Sequence, residues 1–63
     1  MMDERAFKEL KREIRRAVEN VTTAYVHFDE AEPDFIAAAA LEVSAANERL
    51  NALMKKAKEA AKK

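Results

Sequence analysis

Sixty-three residues carry 12 Lys+Arg and 12 Asp+Glu, with no Gly, no Cys and a single Pro. That length bounds the chain to one small domain, and the missing Cys excludes disulfides and thiolate metal sites. The missing Gly removes the usual tight β-hairpin turns and phosphate-cradling loops. Fourteen of the 31 apolar residues are alanine, which favours long helices and buries little surface. The start, Met1-Met2-Asp3-Glu4-Arg5, has no apolar run of signal-peptide type. The longest apolar run, Phe35 to Leu41, is far short of the roughly 20 residues that span a bilayer. A cytoplasmic protein with no membrane span is the expectation.

The first element is a helix over 3–28. Phe7, Leu10, Ile14, Ala17, Val21, Ala24 and Phe28 alternate steps of three and four, an a/d heptad stripe. Asp3 suits the N-cap, and Glu4 lies at the positive end of the helix dipole. A turn at 29–32 follows. Pro33 then fits the first position of a second helix over 33–61, and it keeps Glu32 out of the helical region. Ile36, Ala39, Val43, Ala46, Leu50, Leu53, Ala57 and Ala60 repeat the stripe.

Folding at the turn gives an all-α antiparallel two-helix hairpin. Pairing residues whose numbers sum to 63 or 64 makes every layer apolar. It stacks Ala24 on Ala39 and Ala17 on Ala46, and sets Glu13 beside Arg49 on one flank. That flank is polar: Glu13, Asn20, His27, Glu42, Arg49 and Lys56. The other flank is apolar, with Val18 and Tyr25 on the first helix and Ala40, Met54 and Ala61 on the second, and Leu41 and Val26 farther out. A stripe widened on one side only points to a second surface over it. The simplest cover is a symmetric partner hairpin, which makes a homodimeric four-helix bundle.

Charge is segregated along the chain. Residues 17–48 contain no Lys or Arg and carry −7, and the flanking segments carry +7. A hairpin therefore has an acidic tip and a basic open end. Arg5, Lys8, Arg12 and Arg15 run down one outer face with Lys11 and Arg16 beside them, a candidate phosphate-binding patch that lysines 55, 56, 58, 62 and 63 would join. Glu4, Glu9, Glu13 and Glu59 are interleaved, at spacings where ordinary intrahelical pairs form, and no free aromatic accompanies the stripe to stack on bases.

His27 is the sole histidine, near Asp29, Glu30, Glu32 and Asp34. The spacing is not that of a metal site: Glu-x-x-His and His-x-x-x-His are absent, and the acidic stretch lacks the Gly of a calcium loop. Ser44 is the only serine and has no base near it in sequence or in the pairing. No catalytic residue, metal ligand set or cofactor is expected.

Glu32-Pro33-Asp34-Phe35-Ile36, then Ala40-Leu41-Glu42, Ala45-Ala46-Asn47-Glu48-Arg49-Leu50 and Leu53-Met54-Lys55-Lys56-Ala57-Lys58, resemble the YaaL-like family of small uncharacterised proteins of Gram-positive bacteria. The resemblance covers about half the chain. It implies a cytoplasmic helical protein without assigned activity, and it carries over no catalytic residue. The sequence thus points to a non-enzymatic interaction or structural module, a dimer that docks a protein partner through its charged ends or apolar tip. A small nucleic-acid-associated protein using the basic end is the alternative.

Overall fold

The computed structural model describes residues 3–62; Met1, Met2 and Lys63 lie outside the described residues. Among these residues all regular structure is helical: α1 (Glu4–Glu30), a 3-10 turn (Pro33–Phe35) and α2 (Ile36–Ala61). Asp3 caps α1 from an extended backbone, its carboxylate accepting the Ala6 N–H at 2.8 Å. That satisfies one of the donors a helix start leaves orphaned.

The reversal is placed later than the sequence pattern indicates. α1 continues through Asp29 and Glu30, because Pro33 bars only the residue before it from helical conformation. Ala31 (φ −69°, ψ 137°) and Glu32 (φ −73°, ψ 157°) are extended, and the Ala31 N–H donates to the Phe28 carbonyl at 3.2 Å. Pro33 opens the second arm as expected, but as a 3-10 turn in which the Phe35 N–H donates to the Glu32 carbonyl at 2.8 Å. Phe35 (φ −116°, ψ 5°), the last residue of that turn, is the N-cap of α2, so the α-helical part begins at Ile36 rather than at Pro33.

The two helices pack against each other along the heptad stripe. Leu10, Ala17, Ala24 and Ala39 are buried. Ile14, Val21, Val43, Ala46, Leu50, Leu53, Ala57 and Ala60 are half-buried. Phe7, Phe28 and Ile36, at the ends of the stripe, stay more exposed.

The register differs from the sequence-derived pairing by one helical turn. In an antiparallel pair, facing residues along one flank have numbers of constant sum. On the polar flank His27 meets Glu42, a sum of 69, and Glu13 shares a cleft with Lys56 at the same sum. On the apolar flank Tyr25 shares a groove with Ala40, a sum of 65. The seam midway between them then runs at 67. It sets Ala24 level with Val43, Ala17 with Leu50, Val21 with Ala46 and Leu10 with Ala57. The expected stacking of Ala24 on Ala39 and Ala17 on Ala46 is replaced by small-against-large layers, apart from Ile14 level with Leu53. The cause lies in the connection: with α1 ending at Glu30 and α2 starting at Ile36, the fold-back is centred near Pro33. Small-against-large layers also keep the axes evenly spaced, which alternating alanine and valine–leucine layers would not.

The result is a rod of 47 × 15 × 10 Å with a Cα radius of gyration of 14.6 Å. A compact chain of this length would have about 11 Å. The accessible surface is 5274 Å², against about 4,100 Å² for a compact monomer of the same mass. No large side chain is fully buried among the described residues. One hairpin makes a thin core.

Candidate functional site

The apolar flank follows from heptad arithmetic. The e position lies beside the a/d seam, so Val18 and Tyr25 on α1 and Ala40 and Met54 on α2 border it on one side. All four are exposed, Tyr25 at 49%. Near the tip Tyr25, Phe28, Ala40 and Val43 line a groove of about 150 Å³. Toward the open end Phe7, Met54, Ala57 and Ala61 line a wider one of about 710 Å³ with the stems of Lys55 and Lys58. Leu41, farther out, lines neither groove. It occupies an f position, one residue round the helix from Ala40, and is the most exposed of the large apolar residues at 71%.

Asn47 is the residue that the apolar reading passes over. It occupies the e position between Ala40 and Met54 and is half-buried, more covered than its apolar neighbours on that row. Among the described residues its amide makes no hydrogen bond within the chain. The signal was present in the spacing: steps of seven from Ala40 reach Asn47 and then Met54.

The polar flank holds the one interhelical polar contact among the described residues. His27 Nδ1 lies 3.0 Å from Glu42 Oε2, with both side chains about half exposed. A carboxylate can only accept, so the Nδ1–H donates. Both residues read as polar-flank positions in the sequence, yet a register one turn away separates them. Glu13 and Arg49, expected to pair, form no salt bridge; the register brings Lys56 to the level of Glu13 instead. Glu30 and Glu32 line one open cleft with His27 and Glu42, yet among the described residues no three metal-ligating side chains converge closely enough to hold a metal ion.

At the open end Arg5, Lys8 and Arg12 line one shallow cleft together with Glu4 and Glu9. Arg12 is paired with Glu9 at 3.2 Å. Lys11 Nζ sits 5.5 Å from the centroid of the Phe7 ring, a cation–π distance. Arg15 and Arg16 are exposed farther along α1 and do not line the cleft. The patch is thus an alternation of charges rather than a continuous cationic surface. Thr22 spends its hydroxyl on the Val18 carbonyl at 3.2 Å, the usual resting state of a hydroxyl within a helix. Ser44 is exposed on α2. No helix among the described residues is long and apolar enough to cross a membrane.

No family model matches the chain, and neither a curated protein nor a solved structure matches it.

Proposed function

We propose that this protein is a non-catalytic assembly module of the cytoplasm, a helical hairpin that pairs with a second copy into a four-helix bundle. One observation carries the reading: an apolar flank of Val18, Tyr25, Ala40 and Met54 lies open beside a core whose buried members are mostly alanine. The hairpin exposes about 1,200 Å² more than a compact chain of its mass. A standard stable interface takes about 800 Å² from each partner. The extra exposed area is thus of the size that a dimer interface takes. The charged ends then remain free to contact a further protein partner.

The resemblance of residues 32–58 to the YaaL-like family agrees with a helical module and assigns it no reaction. Binding of nucleic acid by the basic end is the weaker reading, because Glu4 and Glu9 share the cleft of Arg5, Lys8 and Arg12, and Glu9 pairs with Arg12.

The test is thermal melting across protein concentration. A folded dimer melts at a temperature that rises with concentration, since association stabilises by mass action. Tyr25→Glu, on the apolar flank, abolishes that dependence, and Asn20→Glu on the polar flank retains it. A concentration-independent melt of the native sequence overturns the reading.

A further inference from the structure

The apolar flank also specifies which way a second hairpin lies on it. Its rim changes sign along the rod. Asp29 borders the flank near the tip, and Lys8, Lys11, Arg15 and Lys58, with Glu4 among them, border it toward the open end, all of them exposed. Two hairpins laid side by side in the same direction face acid with acid at one end and base with base at the other. Reversal of one copy makes both ends attractive over a 47 Å rod.

The side chains on the e rows decide in the same direction. In a parallel pair with its two-fold axis along the rod, α1 of each copy faces α2 of the other. Residues at equal distance from the tip then meet, which sets the Asn47 amide against Val18 and Met54 against Lys11. An amide buried against valine loses its hydrogen bonds to water and gains none, at a cost of about 1–3 kcal/mol. In a reversed pair the axis crosses the rod, so α1 faces α1 and α2 faces α2. With the axis passing Val18 and Asn47, which lie at nearly the same level midway along the arms, each e row closes on itself. Val18 meets Val18, and Asn47 meets Asn47. Ala40 of one copy meets Met54 of the other, small against large. Tyr25 meets Lys11, an aromatic against a cation that already sits over Phe7. At the rim Asp29 meets Lys8. An amide carries both donor and acceptor, so two Asn47 side chains across the axis satisfy each other, and a single polar pair in an apolar seam fixes register.

We infer that the apolar flank binds a second copy of this chain in reversed orientation, tip to open end, about a two-fold axis at Val18 and Asn47. This rests on the assembly reading above, and the experiment separates the two.

A nitroxide is attached at Ala37→Cys, an exposed position near the tip in a chain that has no other cysteine. Dipolar spectroscopy then measures the distance between the labels of the two copies. Reversal about Asn47 separates them by about 20 residues of helix, or about 30 Å along the rod. In the parallel pair they lie within about 20 Å, the width of a bundle. Sedimentation of the unlabelled chain at low and high salt supplies an independent sign. Screening weakens the reversed dimer, whose facing ends attract, and tightens a parallel one, whose facing ends repel. A distance near 30 Å with dissociation increasing several-fold as salt rises supports the inference. A short distance in an intact dimer, or a dimer tightened by salt, overturns the orientation and leaves the assembly reading standing. A monomer at every salt concentration overturns both.

Discussion

Exchange of volume between Ala24 and Val43 tests the interhelical register. The seam places these residues at one level, and Ala24 is only 1% exposed. Ala24→Val inserts two methyl groups where no space remains, which costs about 1–3 kcal/mol. Val43→Ala removes two, worth about 0.8 kcal/mol each when buried, so about 1 kcal/mol for a half-buried side chain. If the two sites face each other, the double variant restores the summed volume. Its loss should fall about 1–2 kcal/mol short of the sum of the single losses, within the range measured for residues in contact. For a chain of this length the unfolding entropy is about 0.13 kcal/mol/K, so that coupling appears as about 8–15 °C of recovered melting temperature. Circular dichroism melts of the four species at one protein concentration complete the cycle. Additivity within about 0.5 kcal/mol would show that Val43 does not fill the space beside Ala24, and the register derived from His27–Glu42 would be wrong.

Asp3→Ala removes the carboxylate that accepts the Ala6 N–H and should cost about 1 kcal/mol, with Asp3→Ser restoring most of it in the same melt. Glu42→Gln should cost at most about 1 kcal/mol, because the His27–Glu42 contact is half exposed; a loss several times larger in denaturant titrations would mean the flank is far more occluded than it stands here. Leu41→Glu should leave self-association unchanged, since Leu41 lines neither groove of the flank that Tyr25 borders; equal weakening by Leu41→Glu and Tyr25→Glu would relocate the interface. No binding to single- or double-stranded nucleic acid is expected at about 0.15 M salt. Submicromolar binding there, lost on reversal of Arg12 and Arg15 to Glu, would favour the nucleic-acid reading.

The helices were legible because their signals are local. Asp3 at the cap, Pro33 at the start of the second arm and two a/d stripes are read from spacings of three and four residues. The register was not, because it depends on where the chain leaves α1, and a helix passes through Asp29 and Glu30 as readily as it stops before them. Two further helical residues there, and a 3-10 turn after Pro33, shift the facing layers by one turn. The same shift hid the His27–Glu42 contact: the flank was right and the level wrong. Val18, Tyr25, Ala40 and Met54 were found by heptad position, as e residues beside the seam. Leu41 lies farther out than that row, at an f position, and lines neither groove of the flank. Asn47 was missed, since a search for apolar e residues steps over a polar one.

Self-association through the apolar flank is the central claim, and sedimentation equilibrium tests it most directly. The chain has a mass of 7.1 kDa. At low micromolar concentration and above, twice that mass is expected for the native sequence, with Tyr25→Glu returning it to the single-chain value. A native chain that sediments at 7.1 kDa throughout, while circular dichroism shows it folded, would contradict the account.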